Sequence, residues 1–290
     1  MTSLRVEPAV ILRPDAAEAG TRTCAVEAPV AVEVDGLGYA VMMMTPADLP
    51  AFAVGFMLTE RLADSAADIV DVDPFEGAAG WIVRVTLADR CRGRIQDRVR
   101  HRTSDTSCGL CGIAGLEQLH RPVPRRSPAP RADAAAMFGA LAALRDRQPL
   151  NAMTGAVHAA TACDSDGRIV AACEDVGRHN ALDKLVGTLA TYTATTLPGE
   201  GRGPGWGGSG EGEVDFILVT SRLSFEMVDK ALVAGVAMLV GVSAPTTLAI
   251  EHAGAHGLTL VALARRDAML VMNDPWGRFP SSSEERKGAA

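Results

Sequence analysis

The chain has 290 residues, a net charge of -7 and 48% hydrophobic residues. This length suits two hydrophobic cores better than one, and the acidic balance argues against general nucleic-acid binding, although local basic groups could bind an anionic ligand. The N-terminus lacks the apolar core of a signal peptide, and no apolar stretch is uncharged for long enough to span a bilayer. Because only six cysteines occur in so long a chain, we expect a cytoplasmic protein with free thiols.

The N-terminal part is predicted to form a small α+β domain. Residues 1–24 show no periodicity and are expected to be a loose tail. Alternation over Pro29–Val34 and Tyr39–Met44, with an Asp-Gly turn between them, predicts a β-hairpin. Thr45 is the expected cap of a helix that runs to about Leu62 and packs on this hairpin.

The next elements complete this domain. Alternating apolar residues over Gly80–Leu87 predict a further strand. The stretch that follows is rich in arginine. It either forms a solvated face or directs charge towards the cysteines further along, where positive charge would lower a thiol pKa. These arginines are Arg90, Arg92, Arg94, Arg98, Arg100 and Arg102.

Cys108 and Cys111 form a Cys-x-x-Cys motif in which a glycine follows each cysteine. This spacing is compatible with a reactive thiol pair, a scaffold disulfide or half of a zinc site. A helix is predicted to begin directly afterwards, and its N-terminal N–H groups would favour thiolate over thiol. We favour the reactive pair. No second Cys-x-x-Cys occurs in the chain, so a closed four-ligand site would need a second copy of the chain or scattered residues, and we expect no stoichiometric zinc.

A proline-rich connector over residues 120–130 predicts the domain junction. Asp133 is expected to cap an alanine-rich helix that ends near Gln148. The predicted domains are therefore 25–130, which carries the cysteine motif, and 131–272.

The second domain begins with two predicted strands over 156–163 and 168–173. A dense polar cluster follows them, at a junction between strand and helix where α/β folds expose their functional side chains. Asp175, Arg178 and His179 belong to this cluster. Because both nitrogens of a histidine are often hydrogen-bonded within a fold, a structural role for His179 is an equal alternative.

Strands and helices then alternate to the end of the domain. Apolar strands over 214–220, 238–242, 258–263 and 268–272, with helices over 224–237 and 245–256, predict a parallel sheet covered on both faces. Glycines over 199–213 predict a flexible loop, and residues 273–290 a C-terminal tail. Thr220, Ser221, Arg222 and Ser224 follow the first of these strands. They offer hydroxyl and backbone N–H groups to an anion, although Ser224 could serve only as a helix cap.

Five segments occur here in an order that resembles the formate dehydrogenase accessory sulfurtransferase family, FdhD. They are Glu27–Val32 with the stretch through Phe56, Cys108–Gly112, Glu174–Lys184, Thr220–Lys230 and Val242–Ala249. The resemblance covers about residues 25 to 272. Each segment alone is weakly specific, whereas the five in register are highly specific.

The resemblance implies a cytoplasmic homodimer whose second domain is an α/β fold like that of cytidine deaminase. It implies a sulfurtransferase in which Cys108 accepts persulfide sulfur from a cysteine desulfurase, with Cys111 as the second cysteine. The acceptor would be the molybdenum or tungsten bis-guanine-dinucleotide cofactor of formate dehydrogenase. By motif position, the resemblance assigns cofactor binding to Leu263, Ala264, Arg265, Arg266, Asp267 and Ala268. This stretch departs from the family in lacking the glycine common in that turn.

Two other enzyme classes fit the sequence motifs less well. A zinc nucleoside deaminase needs a glutamate two residues after its first ligand and a Pro-Cys-x-x-Cys partner. The residue two positions after His158 is Ala160, not glutamate. The residue before Cys108 is Ser107, not proline, so both requirements fail. About 100 residues precede Cys108, which is unlike the start of a thioredoxin fold. A non-catalytic chaperone that binds the same cofactor stays open; it would tolerate the loss of Cys108.

Overall fold

The computed structural model describes residues 3–99, 127–196 and 213–280. The strands are β1 (Leu4–Arg13), β2 (Ala16–Ala25), β3 (Ala28–Val34), β4 (Leu37–Met44), β5 (Ile69–Gly77), β6 (Gly80–Leu87), β7 (His158–Cys163), β8 (Ile169–Asp175), β9 (Phe216–Val219), β10 (Met238–Gly241), β11 (Thr259–Ala262) and β12 (Leu270–Asn273). The helices are α1 (Leu49–Thr59), α2 (Asp89–Val99), α3 (Ala134–Ala143), α4 (Pro149–Thr154), α5 (Arg178–Thr196), α6 (Phe225–Ala234) and α7 (Thr247–His256).

The chain divides into two compact units. The first contains the described residues of Met1–Arg100, Arg145–Ala159 and Cys173–Glu200, and the second those of His101–Leu144, Ala160–Ala172 and Gly201–Ala290. The predicted junction at 130–131 is therefore wrong, because the chain returns twice to the first unit after it. A connector rich in proline indicates a break in secondary structure, not the unit to which the next segment packs.

A four-stranded sheet of order β4-β3-β6-β5 forms the frame of the first unit. β3 pairs with β4 antiparallel, as the hairpin prediction requires, and with β6 in parallel. The turn between β3 and β4 holds Asp35 (φ +49) and Gly36 (φ +79) in the left-handed region, which suits a two-residue hairpin loop. The predicted strand over Gly80–Leu87 is confirmed as β6.

Helices α1 and α5 pack closely against each other in the first unit. A Cβ atom on Gly55 would lie 1.8 Å from the carbonyl oxygen of Asp183, and one on Gly187 would lie 1.8 Å from that of Ala51. Thr59 adds a hydrogen bond of 2.7 Å from its hydroxyl to Asp183. Glycine at these two positions therefore lets the helix backbones approach each other.

The N-terminal segment is ordered, so the prediction of a loose tail over residues 1–24 is wrong. β1 and β2 pair antiparallel over their full length, from Leu4 opposite Ala25 to Arg13 opposite Ala16. In the sequence, Pro8 argues against a strand, because proline has no backbone N–H to donate to a β-ladder. It is tolerated here because a two-stranded sheet has only edge strands.

The first helix begins later than its sequence predicted. Thr45 is not its cap: Asp48 occupies that position in a left-handed conformation, and α1 starts at Leu49. The Thr45 hydroxyl instead accepts a hydrogen bond of 3.3 Å from the Val176 N–H. A contact with a residue far along the chain thus replaces the local capping interaction.

The second unit is built on a sheet of order β12-β11-β10-β9-β7-β8. β9, β10 and β11 are parallel, as predicted, whereas β7 and β12 run antiparallel to their neighbours β9 and β11. One face of the sheet packs against α3. The other carries the equally buried Ile217, Leu239 and Leu260, as expected for strands covered on both sides.

Two predicted boundaries of the second unit fall on described residues, the start of α3 and the start of the C-terminal tail. Asp133 caps α3 by accepting from the Ala136 N–H at 2.9 Å, as predicted. The start of the predicted C-terminal tail is ordered, since the Trp276 indole N–H donates to the Gly257 carbonyl at 3.2 Å. The predicted flexible loop over 199–213 lies outside the described residues except for Glu213, which pairs with Arg131 at 2.8 Å. No helix in the described part of the chain is long and apolar enough to cross a membrane.

Candidate functional site

Three loops meet at the carboxyl ends of the parallel strands in the second unit. They are Thr220–Ser224 after β9, Val242–Thr246 after β10 and Leu263–Ala268 after β11. Neighbouring parallel strands end at the same edge, so these loops lie side by side. We call this set of loops the carboxyl edge. It brings together two stretches that the sequence singled out.

The middle loop links the two predicted stretches through backbone hydrogen bonds. Leu223 donates to the Ala244 carbonyl at 3.1 Å and accepts from the Thr246 N–H at 3.0 Å. On the other side, the Leu263 N–H donates to the Ser243 carbonyl at 3.2 Å. Val242–Thr246 was not predicted as part of the site. A strand followed by a proline and two threonines at a helix start was the signal that could have identified it.

The N-terminus of α6 lacks a side-chain cap. Ser224 stands at the cap position without a capping bond, so the prediction that it might serve only as a cap is wrong. Its hydroxyl oxygen is buried and has no hydrogen-bond partner among the described residues. By contrast, Thr246 caps α7 by accepting from the Ala249 N–H at 3.3 Å. The start of α6 therefore offers an unused hydroxyl group at the positive end of a helix dipole.

Charged side chains occur on the first and third loops of the carboxyl edge. Arg222, Arg266 and Asp267 are exposed. Arg265 is also exposed, and its guanidinium group donates to the Val242 carbonyl, which ties it to the middle loop. Glu226 lies in the first turn of α6 and adds negative charge. The carboxyl edge therefore combines donors for an anion with carboxylates that can accept hydrogen bonds.

The third loop begins with a strained residue. Leu263 has φ +49, in the left-handed region that favours glycine. This is the stretch in which the family glycine is missing. Arg265 closes the turn by donating its N–H to the Ala268 carbonyl at 2.9 Å. A non-glycine residue held in this conformation is a frequent feature of ligand-binding turns.

Asp175 occupies the centre of a buried polar cluster in the first unit. Its carboxylate accepts from Lys184 Nζ at 2.6 Å, from the Gly177 N–H at 2.7 Å and from the Thr45 N–H at 3.1 Å. Asn180 Nδ2 donates to it at 3.2 Å. Neither Asp175 nor Lys184 has exposed surface. Asp175 therefore holds the start of α5 to the segment before α1 and has no free surface of its own.

Arg178 and His179 form the first turn of α5, immediately after this cluster. Both side chains are half-buried. The Arg178 Nε atom is buried without a hydrogen-bond partner in the described residues. A buried donor of this kind favours an acceptor from outside the chain.

His158 lies at the start of β7. Its sequence context does not match that of a zinc ligand in a deaminase. Burial and the positive charge of Arg178 lower its pKa below the ordinary value, against a smaller opposite effect of Asp175. His158 is therefore held neutral near neutral pH. A neutral imidazole can accept a hydrogen bond or donate one without adding charge.

The two cysteines of the Cys-x-x-Cys motif, Cys108 and Cys111, lie outside the described residues. Among the described cysteines, Cys91, Cys163 and Cys173 are buried and free. Burial raises the pKa of each thiol, that of Cys163 to about 12. A thiol with a raised pKa is a poor nucleophile near neutral pH. These three cysteines are therefore unsuited to sulfur chemistry.

The arginine-rich stretch is engaged with carboxylates where it is described. Arg90 pairs with Asp68 at 2.5 Å and Arg94 with Asp64 at 2.6 Å. Arg92 pairs with Asp89 at 2.7 Å. Asp64, Asp68 and Cys91 also place their ligand atoms within 4.8 Å of one another. The arginines already neutralise this cluster, so its charge gives no reason to infer a metal ion there.

Similarity to known proteins identifies the family of this chain. The model of the FdhD/NarQ family matches residues 25–277. The chain belongs to the FdhD/NarQ family. It is 41% identical to the sulfur carrier protein FdhD of Bordetella parapertussis, over 86% of this chain and 84% of that protein. It is 39% identical to the protein of the same name from Xanthomonas campestris pv. campestris (strain B100), over 94% of both chains.

A solved structure agrees with the fold. The crystal structure of a provisionally assigned formate dehydrogenase accessory protein from Desulfotalea psychrophila superimposes with a TM-score of 0.69. It is 22% identical in sequence, and the match covers 95% of this chain and 99% of that one. This likeness supports the mixed α/β architecture of the FdhD/NarQ chain.

Proposed function

We propose that this FdhD/NarQ chain is a sulfurtransferase that carries persulfide sulfur on Cys108 to the cofactor of a formate dehydrogenase. The observation that carries the proposal is its 41% identity to a protein named as a sulfur carrier. Two further facts support it. The chain has a glycine-flanked Cys-x-x-Cys motif, and the buried Cys91, Cys163 and Cys173 have raised thiol pKa values.

Acceptance of sulfur by Cys108 involves no net oxidation or reduction. The Cys108 thiolate attacks the outer sulfur of the donor persulfide, the S–S bond of the donor breaks, and the donor cysteine leaves as a thiolate. The product is a Cys108 persulfide. A cysteine desulfurase is the donor that we propose.

Release of the sulfur gives Cys111 a role. Its thiolate attacks the inner sulfur of the Cys108 persulfide, forming a Cys108–Cys111 disulfide and expelling the outer sulfur as hydrosulfide, which the metal takes up. The two cysteines supply the two electrons that reduce this sulfur. A dithiol reductant then restores both thiols.

The carboxyl edge is the proposed binding surface for the acceptor, a molybdenum or tungsten bis-guanine-dinucleotide cofactor. The unsatisfied Ser224 hydroxyl and the N-terminus of α6 suit a phosphate group, and Arg222 adds positive charge beside them. Guanine presents N–H donors from its amide edge and its exocyclic amine. The exposed Asp267 carboxylate could accept both, which adenine would not satisfy.

The polar cluster of the first unit contributes indirectly in this proposal. Arg178 and His179 are proposed as ligand-binding residues of the first unit, and Asp175 holds the α5 start that carries them. The unpartnered Nε of Arg178 supports this assignment. Lys184 is a positioning residue as well, because its charge neutralises the buried Asp175.

The family resemblance extends the proposal to the setting of the reaction. It implies a cytoplasmic homodimer that meets a cysteine desulfurase and the catalytic subunit of formate dehydrogenase. It also implies a second domain like cytidine deaminase. The mixed sheet of the second unit supports an α/β fold, and the closer likeness remains a prediction.

Peptide mass spectrometry tests the sulfur-carrying step. After incubation with a cysteine desulfurase and cysteine, the Cys108 peptide should gain about 32 Da, the mass of one sulfur atom. The Cys163→Ser variant is the control and should gain the same mass on the same peptide. A Cys108→Ala protein that still activates formate dehydrogenase would contradict the sulfurtransferase and favour the non-catalytic chaperone.

Calorimetry tests the binding surface separately. GDP should bind more tightly than IDP, which lacks the exocyclic amine, and much more tightly than ADP. Asp267→Asn should reduce the preference for GDP over IDP, and Ser224→Ala should weaken GDP and IDP equally. The exposed Asp166→Asn is the matched charge control. Equal affinity for GDP and ADP would show that the surface recognises only phosphate and would contradict a guanine-specific site.

A further inference from the structure

Phe225 and Asp229 lie four residues apart on one face of α6, and both contact the same residue of α7. That residue is His252. The Phe225 ring lies against the His252 ring, with 4.3 Å between the ring centroids and 36° between the ring planes. His252 Nε2 lies 3.1 Å from Asp229 Oδ1. One imidazole therefore connects the first and second turns of α6 to α7.

The hydrogen bonds of the two histidines of α7 determine where each ring carries its proton. An ionised carboxylate and a backbone carbonyl can only accept hydrogen bonds. Nε2 of His252 therefore carries the proton in the bond to Asp229. Nδ1 of His256 carries the proton in its 3.1 Å bond to the His252 carbonyl. The orientation of the His252 ring is thus set by a directional bond and not by packing alone.

The bond between His252 and Asp229 is largely shielded from solvent. The two side chains are 8% and 18% exposed. Burying such a polar pair is costly unless its geometry is kept, so the pair favours one arrangement of α6 on α7. The His256 ring meets the His252 ring edge-on, with 4.6 Å between the ring centroids, and closes the contact on the other side.

Two histidines four residues apart on a helix can also bind a metal ion. In α7, however, the bonded nitrogens of His252 and His256 serve two different oxygen atoms, those of Asp229 and of the His252 carbonyl. Within the described part of the chain, the group of three potential ligands that converge within 4.8 Å is Asp64, Asp68 and Cys91. The geometry therefore favours a link between the two helices over a metal site.

This link holds the residue that begins α6. Phe225 is the first residue of the helix and follows Ser224. The first intrahelical bond there runs from the Val228 N–H to the Ser224 carbonyl at 3.1 Å, so the Phe225 N–H has no partner within the helix. On the other side of Ser224, Leu223 accepts from the N–H of Thr246, the cap of α7. The start of α6 is therefore tied to α7 on both sides of Ser224.

We propose that His252 is a positioning residue for the anion-binding start of α6. With 9% of its surface exposed, it acts through Asp229 and Phe225 and not by touching the ligand. It sets the directions of the Phe225 N–H and the Ser224 hydroxyl, the groups offered to a phosphate. This role rests on the proposed function of the carboxyl edge. It concerns the phosphate part of the ligand and leaves recognition of the base unchanged.

Calorimetry with GDP, IDP and inorganic pyrophosphate tests this role. His252→Leu fills the space of the ring and removes the bond to Asp229. It should weaken binding of all three ligands by the same factor, about 5- to 10-fold, as expected for one lost hydrogen bond. Asp229→Ala should have the same effect, and the double variant should bind no more weakly than either single variant, because both substitutions break one link. The ratio of GDP to IDP affinity should stay that of the wild type.

Two further variants separate positioning from general packing. Asp229→Asn keeps an oxygen that can accept from His252 Nε2, and it should bind within about twofold of the wild type. His256→Leu removes a ring beside His252 but leaves the bond to Asp229, so it is the control and should also bind within about twofold. Thermal unfolding shows whether each variant is folded. Asp229→Ala breaks the same link at a more exposed position should His252→Leu fail to fold.

The outcomes distinguish this role from the carboxyl edge itself. Wild-type affinity in both His252→Leu and Asp229→Ala would overturn the role of His252 and leave the binding surface standing. An equal loss in His256→Leu or Asp229→Asn would trace the effect to packing and would also overturn it, as would a changed ratio of GDP to IDP affinity. A wild type that binds neither GDP nor pyrophosphate would contradict the binding surface and the role of His252 together.

Discussion

Lys184 Nζ lies 2.6 Å from Asp175 Oδ2, and neither side chain has any surface exposed to solvent. The same Lys184 nitrogen donates to the Thr45 carbonyl at 3.0 Å. This ion pair joins the end of β8 to the second turn of α5 and to the segment before α1. Because burying two charges is costly, the pair is better understood as a device that selects one arrangement of these elements than as a source of net stability.

Removing one partner of this pair should be strongly destabilising. We expect Lys184→Met to lower the free energy of unfolding by about 3–5 kcal/mol, since it leaves Asp175 buried and charged. The double variant with Asp175→Asn should lose less than the sum of the two single losses, by about 2 kcal/mol. Urea unfolding gives these values. Asp166→Asn, at an exposed turn, is the control and should change stability by less than about 0.5 kcal/mol.

Two glycine substitutions should have opposite effects on stability. Gly187→Ala places a methyl group 1.8 Å from the Ala51 carbonyl oxygen, so we expect a loss of about 3 kcal/mol or more. Gly139→Ala, in α3, meets nothing within 4 Å and should raise stability by about 0.5–1 kcal/mol through helix propensity. Equal changes in thermal unfolding would contradict the close packing of α1 on α5.

Acid should release α2 from the first unit. Burial alone would raise the pKa of Asp68, but the hydrogen bonds from Arg90, Asp64 and Ser65 outweigh it and lower the pKa from 3.8 to about 2. The ionised Asp68 therefore stabilises the folded state fully above about pH 4, and this stabilisation is lost as the pH falls towards 2. It amounts to about 2 kcal/mol.

The measurement is the free energy of unfolding between pH 5 and 2, compared with that of Asp68→Asn. The variant should be less stable at pH 5 and should lose less stability over this range. Asp71→Asn, at an exposed position of β5, serves as the control and should follow the wild type. A wild type and an Asp68→Asn protein with parallel pH curves would contradict the ion-pair assignment.

Alkylation should separate the cysteines by reactivity. Near neutral pH, Cys108 and Cys111 are expected to react with iodoacetamide first, while Cys163, fully buried and with a pKa of about 12, should stay unmodified until the protein unfolds. Peptide mass spectrometry after short exposures measures this order. Rapid modification of Cys163 in the folded protein would show that the second unit opens readily.

The sequence predicted most elements where the signal is local. The Asp-Gly turn of the β3–β4 hairpin, the Asp133 cap and the parallel pairing of β9, β10 and β11 are confirmed. Each depends on backbone preferences or on apolar periodicity within a few residues. The cysteine motif is also a local pattern, and it lies outside the described residues. Its proposed chemistry rests on sequence and family membership.

Tertiary structure decided what local patterns could not express. Thr45 has the residue type and position of a helix cap, yet its backbone N–H is bound by Asp175, 130 positions away in the chain. The β1–β2 ribbon contains a proline and too few alternating apolar residues for the sequence to predict its strands. The two strands are ordered by their hydrogen-bonded pairing with each other. The return of α4 and α5 to the first unit likewise depends on which surfaces fit together. Propensity is a property of a short segment, whereas the choice of partner depends on the free energy of packing the whole chain.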